Sequence, residues 1–429
     1  MAIPFPTNKG KRPGETMRVK TKKTRPFKWK LAMLPVTAFQ MLSFSSVVFE
    51  TGQPDIRLMY IFAGYIAMEW LYLIISRLVT KRTSFELEII AFFLTGISLV
   101  IAGGINEELA YKQLAAAAAG LLVFILTILI LRDPEFAMSL RIPAAFACVG
   151  ILAANLLMAK TVNGALNWIE LGPFSVQPSE FVKAAFVFIG AVTLDKLQST
   201  QSLTKYVVFS VCCVGALFLM RDFGTALIFF FTFIVIAFMR SGDIRTIILV
   251  CAGALLGAML IVYFRPYVAT RFATYRHVWD FIDDSGFQQT RVLIYSASGG
   301  LFGLGLGKGK LREVFAASTD LVFGMLCEEW GLLLGVFILL AFLLLAVFAV
   351  KTARVSGSAF YAIACVAAAA MMLFQTALNV FGVTDLLPLT GVTLPFISRG
   401  GSSMICSWAL LAFMKCGRFA GGEAKNRAY

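Results

Sequence analysis

Long apolar stretches alternate with short polar segments along most of the chain, and this pattern predicts membrane-spanning helices. A helix needs roughly 20 apolar residues to cross a bilayer, and the sequence contains about twelve such windows. We predict spans near residues 31–50, 58–76, 87–104, 113–131, 142–159, 178–195, 205–220, 223–239, 244–263, 322–350, 359–381 and 400–416. One long polar segment, 264–322, interrupts them. The pattern predicts an all-α polytopic membrane protein with one long loop.

The composition excludes a water-soluble globule. Hydrophobic residues make up 59% of the chain and charged residues only 14%, so the apolar surface is too large for a soluble core to bury. The eight cysteines lie within or at the ends of predicted spans and have no CxxC spacing. We interpret them as apolar packing residues rather than metal ligands or disulfides.

The distribution of Lys and Arg predicts the orientation. The first 30 residues contain ten basic residues and one acid, Glu15. Short cytoplasmic segments accumulate Lys and Arg, so we predict that 1–30 is a basic cytoplasmic segment. After twelve spans the tail 417–429 is also cytoplasmic, and loop 264–322 is extracytoplasmic. A basic run could bind nucleic acid, but a topology signal that touches anionic membrane lipids explains it without such a partner.

Two groups of charged residues are candidates for chemistry. Asp320 precedes an apolar span, where it is either a helix N-cap or a partly desolvated general base. Glu180 and Lys183 are three residues apart at the start of another span, so they form either an internal ion pair or a functional site within the membrane. Asp222 interrupts two apolar spans and is interpreted as a turn residue paired with its neighbour Arg221.

The long loop has seven basic residues and five acidic residues. A basic excess in an extracytoplasmic loop runs against the usual charge distribution and suggests an anionic ligand. The glycines of segment 299–307 do not follow a strand and do not have dinucleotide-binding spacing. We therefore predict a flexible re-entrant segment there.

Four ordered motifs between about Phe92 and Lys415 resemble the SEDS family, the shape, elongation, division and sporulation proteins FtsW, RodA and SpoVE. The first runs from Gly164 through Trp168 to Gln177-Pro178-Ser179-Glu180, and the second is Asp222-Phe223-Gly224-Thr225-Ala226. The third comprises Gly286-Phe287-Gln288, the glycines of 299–307, Thr319-Asp320 and Glu328-Glu329. The fourth runs from Leu387-Pro388 to Gly400-Gly401-Ser402-Ser403.

The resemblance implies an inverting peptidoglycan glycosyltransferase that polymerises lipid II on the outer face of the bacterial cytoplasmic membrane. It implies that Asp320 is the catalytic base. By the same resemblance and the charge pattern, the candidate substrate-binding residues are Lys183, Glu180, Gln177, Ser179, Trp168, Asp222, Gln288, Arg291, Arg399, Ser402 and Ser403. A class B penicillin-binding protein is implied as the transpeptidase partner, because the chain has no Ser-x-x-Lys domain. No cofactor is required, although a divalent cation could bridge Asp320 to a diphosphate.

The chain also departs from the family pattern. Asn167 stands where a basic residue commonly precedes the tryptophan, and Ser318 stands where the family usually has His. Arg221 and Arg399 replace a proline and an aromatic residue. We hypothesise that these two arginines compensate for the lost charge in binding a diphosphate.

The first two predicted spans, within residues 31–85, resemble an added helical hairpin in front of a SEDS-like domain at 86–416. This hairpin is either a membrane anchor or a docking site for a partner helix. Two other functions stay open, a flippase for lipid-linked precursors and a non-catalytic scaffold of the cell-wall machinery. No internal repeat is evident, and the outward clustering of Asp320, Glu180 and Lys183 favours chemistry on one side over transport. The sequence leaves open a role in division, elongation or sporulation.

Overall fold

The structure is a computed structural model, and it describes residues 28–50, 52–81, 84–162, 165–171, 174–195, 200–242, 244–245, 248, 251–252 and 274–417. Its first helices are α1 (Trp29–Val48), α2 (Ile56–Thr80), α3 (Glu86–Gly103), α4 (Glu107–Arg132), α5 (Pro134–Ser139) and α6 (Arg141–Met158). There follow α7 (Pro178–Asp195), α8 (Thr200–Leu219), α9 (Phe223–Ser241), α10 (Phe287–Ser298), α11 (Val322–Val355), α12 (Ala359–Val383) and α13 (Gly401–Cys416). Most of the predicted span 244–263, the segment 1–27 and the tail 418–429 lie outside the described residues.

Eight of the described helices are long and apolar enough to cross a membrane, namely α1, α2, α3, α4, α6, α9, α11 and α12. Shorter apolar helices cover Thr204–Leu219 and Gly401–Cys416. α7 has three charged residues, Glu180, Lys183 and Asp195, and is less apolar for that reason. These helices confirm the predicted polytopic helical class.

A small antiparallel sheet lies between α6 and α7, where the sequence was expected to form only a loop. Its strands are β1 (Lys160–Val162), β2 (Ala165–Leu171) and β3 (Phe174–Val176), in the order β1-β2-β3. Ile169 pairs with Val176, and Leu171 pairs with Phe174. The strands were not predicted for this segment between the spans. The dipeptide Asn163-Gly164 between apolar runs is a sequence signal for a hairpin.

The glycine-rich segment of the long loop is built into a break in α11. Gly331 has φ 84° and ψ 167°, which breaks the helix and frees the carbonyl groups of the preceding turn. The Leu304 and Gly305 N–H groups donate to the carbonyls of Glu328 and Glu329, at 2.9 and 3.0 Å. Instead of the flexible segment we expected, the loop is hydrogen-bonded to α11.

Trp408 of α13 anchors the helices around the site. It is fully buried, and its ring packs against Phe92, Phe124 and Phe396 at centroid distances of 5.2, 5.6 and 5.6 Å. These three rings belong to α3, α4 and the segment 391–398. The aromatic cluster therefore fixes segment 391–398 against α3, α4 and α13.

Candidate active site

Asp320 lies on a tight turn just before α11. The helix begins at Val322, and Leu321 occupies the N-cap position without a side-chain cap. The N-cap interpretation of Asp320 was therefore wrong. The Asp320 N–H donates to the Ala316 carbonyl at 3.0 Å, which closes the turn on itself.

Two residues that precede α13 hold this turn. The Ser398 hydroxyl donates to the Thr319 carbonyl at 2.6 Å. The Arg399 N–H donates to the Ser318 carbonyl at 2.8 Å, and its guanidinium Nε donates to the Ser318 hydroxyl at 3.0 Å. The two residues before Asp320 are thus fixed by hydrogen bonds from a different part of the chain.

Asn379 of α12 holds the turn on its other side. Its side-chain amide donates to the Asp320 carbonyl at 2.8 Å and to the Val392 carbonyl at 2.7 Å. A Cβ atom on Gly391 would lie 3.3 Å from Asp320 Oδ2, so the carboxylate lies directly over this glycine. Hydrogen bonds therefore fix the backbone around Asp320 on both sides.

We expect Asn379→Leu to lower the stability of the protein together with any activity that depends on the Asp320 turn. The change leaves the Asp320 and Val392 carbonyls without their amide donor, at a cost of about 1–3 kcal/mol for an unsatisfied buried group. The measurement is the thermal midpoint in detergent together with the turnover rate. Asn155→Leu is the matched control, because Asn155 is also a buried amide but bonds Met220 Sδ, which lies outside the turn. Equal losses of activity in the two variants at equal stability would contradict a role for Asn379 at Asp320.

Glu180 and Lys183 form the internal ion pair that their spacing predicted. Their charged atoms are 2.7 Å apart, and the two side chains are 4% and 1% exposed. The Lys183 ammonium also donates to Gln375 Oε1 at 3.1 Å. Two buried charges are tolerated here because each is paired and hydrogen-bonded.

Gln375 extends this network to the segment before α13. Its amide donates to the Thr393 carbonyl at 2.8 Å and to the Thr393 hydroxyl at 3.0 Å. The Thr393 hydroxyl is 2.8 Å from the hydroxyl of Ser403. The buried ion pair, α12 and the predicted residue Ser403 therefore form one connected polar network.

Gln375 and Asn379 connect the two halves of the site. They are four residues apart on α12, so their side chains share one face about 6 Å apart along the axis. One contacts Lys183 and the other contacts the Asp320 turn. Sequence reasoning missed both residues. The available signal was a pair of amides at helical spacing in an otherwise apolar span.

Asp222 belongs to a neighbouring polar cluster. It is the N-cap of α9, and its side chain accepts from the Thr225 N–H at 3.1 Å. The same carboxylate accepts from the side-chain amides of Gln177 at 3.3 Å and Asn167 at 3.4 Å. The Gln177 N–H donates to the Ser402 hydroxyl at 3.1 Å. Asp222 is thus a capping residue and a member of a polar cluster at once.

The remaining predicted residues lie around these networks. Trp168 is half-buried on β2 beside Asn167, and Ser179 is fully buried at the start of α7. Gln288 on α10 donates to the Phe315 carbonyl at 3.2 Å, which ties α10 to the segment leading into Asp320. Arg291 lies one turn further along α10, and its guanidinium stacks over the aromatic ring of Phe287 on the same helix.

A cavity of about 160 Å³ lies beside the Asp320 turn. Its lining residues are Ile105, Arg312, Val314, Ala316, Ala317, Ser318, Met325 and Arg399. Burial lowers the pKa of the Arg399 guanidinium from its usual value, but arginine stays charged at neutral pH. Within the described residues no carboxylate forms an ion pair with Arg399. The cavity therefore presents a cation that can accept an anionic partner.

The described part of the chain contains no cluster of three or more His, Cys, Asp or Glu side chains able to hold a metal. All eight cysteines are free, and six of them are buried among apolar neighbours.

Fold and site together define a polytopic membrane protein with a clamped acidic turn joined to a buried Glu–Lys pair. The chain belongs to the FtsW/RodA/SpoVE family, whose model, described as "Cell cycle protein", matches residues 85–416. It is 31% identical to stage V sporulation protein E of Bacillus subtilis over 304 residues, 69% of this chain and 82% of that protein. It is 28% identical to peptidoglycan glycosyltransferase RodA of Mycobacterium tuberculosis (strain ATCC 25618 / H37Rv), over 71% of this chain and 69% of that protein.

Solved structures have the same fold. The rod shape determining protein RodA of Thermus thermophilus aligns with a TM-score of 0.59 and 26% identity, over 78% of this chain and 95% of that chain. A chain from a structure described as coordinating polymerization and crosslinking in a peptidoglycan synthase complex aligns with a TM-score of 0.67 and 24% identity. That alignment covers 79% of this chain and 98% of the other.

Proposed function

We propose that this protein is a peptidoglycan glycosyltransferase that polymerises lipid II at the outer face of the bacterial cytoplasmic membrane, with both termini cytoplasmic. The observation that carries the proposal is the Asp320 turn, clamped by Ser398, Arg399 and Asn379 and joined through α12 to the Glu180–Lys183 pair. The names of the RodA and FtsW relatives support the same activity.

Asp320 acts as the general base in this proposal. It accepts the proton of the 4-hydroxyl of the acceptor N-acetylglucosamine as that oxygen attacks C1 of the donor N-acetylmuramic acid. The new C1–O bond forms while the bond from C1 to the diphosphate breaks, and undecaprenyl diphosphate leaves. Attack opposite an α-linked leaving group inverts the anomeric carbon and gives a β-1,4 linkage. The clamped turn supports this role because a base must be held within hydrogen-bonding reach of its proton.

Cations assist the leaving group, which departs as an anion and needs charge stabilisation more than a proton donor. Lys183 donates to Glu180 and Gln375 and is only 1% exposed, so in this proposal its charge acts on the leaving group through the buried network. Arg399 lines the cavity beside the Asp320 turn and forms no ion pair with a carboxylate of the described residues. We assign the diphosphate to these two residues, with Arg221 as a further contact.

We expect Arg399→Gln to raise KM for lipid II by about tenfold. A change of this size corresponds to the free energy of one hydrogen bond to a charged group. The measurement is initial polymerisation rate against lipid II concentration. Arg57→Gln is the control, because Arg57 is an exposed arginine paired with Glu107 on the α2–α4 side. Unchanged KM in an Arg399→Gln/Arg221→Gln double variant would contradict diphosphate binding by these arginines.

A class B penicillin-binding protein is the proposed partner. A polymerase of this kind makes uncrosslinked strands and requires a separate transpeptidase. The solved peptidoglycan synthase complex, in which polymerization and crosslinking are coordinated, supports such a pairing.

The test is polymerisation of labelled lipid II by the purified protein, alone and with its candidate transpeptidase. We expect glycan strands that a muramidase degrades. Translocation of lipid II across proteoliposomes without polymer would support the flippase instead. Neither activity, with binding to the transpeptidase retained, would support the scaffold.

A further inference from the structure

Helices α1 and α2 precede the residues that match the family model, and they pack closely on the family core. The buried Gln40 amide donates to Glu69 Oε1 at 2.9 Å and to the Phe92 carbonyl of α3 at 3.3 Å. The Tyr65 hydroxyl donates to the same carbonyl at 2.8 Å. Polar contacts of this kind fix how two helices sit against a third, because they are satisfied in only one arrangement.

The turn between α1 and α2 brings Glu50 to the long loop. Glu50 Oε1 is 3.6 Å from Arg312 Nη1, and Arg312 Nη2 is 3.1 Å from Glu329 Oε1 of α11. A Cβ atom on Gly307 would lie 2.2 Å from Glu50 Oε1, so the carboxylate is in contact with the loop backbone. Gly307 also has φ 78°, a conformation that favours glycine. The loop is thus held between the hairpin and α11.

The held segment leads directly to the proposed active site. The Lys310 and Leu311 N–H groups donate to the Glu328 carboxylate at 2.7 and 2.9 Å, which fixes the chain next to Arg312. Arg312 then lines the same cavity as Ser318 and Arg399. A displacement of Arg312 would change the wall of that cavity and the segment that carries Asp320.

We propose that Glu50 is a positioning residue, through which the N-terminal hairpin holds segment 307–312 and thereby the Asp320 turn. Its effect on the reaction rests on the proposed function, whereas its effect on the loop does not. The hairpin then helps to position the residues of the proposed active site. This role differs from both of those that the sequence suggested, a membrane anchor and a docking site.

The test compares Glu50→Gln with Glu107→Gln in the full-length protein. Glu107 also joins the hairpin to the core, through a 2.5 Å contact with Arg57, but none of its hydrogen bonds or ion pairs reaches the described part of the long loop, 274–322. The first readout is hydrogen exchange of peptides covering 304–321. The second is kcat and KM for lipid II. Both substitutions keep the side-chain shape and remove one charge.

We expect Glu50→Gln to speed exchange in 304–321 and to lower kcat about threefold with KM unchanged, the range of a partly exposed ion pair. Glu107→Gln is expected to change neither quantity. Unchanged exchange in Glu50→Gln, or equal changes in both variants, would overturn the proposal. Faster exchange with unchanged kcat would overturn the positioning role in the reaction. If the wild-type protein makes no polymer, the proposed function fails, and the exchange data still decide whether Glu50 holds the loop.

Discussion

Asp320→Asn is expected to abolish measurable lipid II polymerisation while leaving the protein folded. Removal of a general base costs about 10²–10⁴ in rate. Asparagine has nearly the same shape, and the hydrogen bonds from Ser398 and Asn379 go to backbone carbonyls that the substitution leaves in place. The measurement is kcat for labelled lipid II, with the thermal midpoint in detergent as the check on folding.

Glu313→Gln is the matched control for Asp320→Asn, because Glu313 is an exposed carboxylate on the same loop. We expect it to polymerise lipid II at close to the wild-type rate. If Asp320→Asn and Glu313→Gln are equally active, the base lies elsewhere and the clamped turn has only a structural role. If the wild type and both variants are inactive with the correct transpeptidase, the glycosyltransferase proposal itself is wrong.

Lys183→Met is expected to destabilise the protein by about 3–5 kcal/mol, the usual effect of leaving one charge of a buried pair without its partner. Glu180 would keep its buried carboxylate but lose the ammonium 2.7 Å away, and Gln375 would lose a donor. The measurement is the free energy of unfolding in detergent, or the shift in thermal midpoint. Activity is expected to fall at the same time.

Two further variants separate stability from catalysis. Lys112→Met removes the cation of an exposed pair with Glu108 on α4 and is expected to cost less than about 1 kcal/mol. The double variant Glu180→Gln/Lys183→Met removes both buried charges and is expected to recover most of the lost stability. Continued inactivity of the double variant would support a charge effect of Lys183 on the substrate. A stability of Lys183→Met equal to that of Lys112→Met would contradict the buried-pair argument.

The sequence by itself determined the helical membrane fold and several members of the site. Spans such as α11 and α12 can be predicted from the sequence. A spanning helix hydrogen-bonds its own backbone N–H and C=O groups, and it needs apolar side chains where it faces lipid. The Glu180–Lys183 pair is readable for a similar reason, since a spacing of three residues places both side chains on one helical face. The position of Asp222 between two apolar spans is equally local, but its role as the N-cap of α9 was not predicted.

Only the tertiary structure decided how these pieces meet. Asn379 and Gln375 become site residues because α12 lies between the Asp320 turn and α7. The break at Gly331 is explained by the distant loop that fills it, and the contact between Glu50 and Arg312 joins residues far apart in the chain. The Asp320 cap was misjudged because Ser-Thr-Asp before a helix is a local signal, whereas contacts from residues 379–399 fix the turn. Periodicity and spacing depend on neighbouring residues and can therefore be predicted from the sequence. Contacts between distant segments depend on how the helices pack, which only the tertiary structure shows.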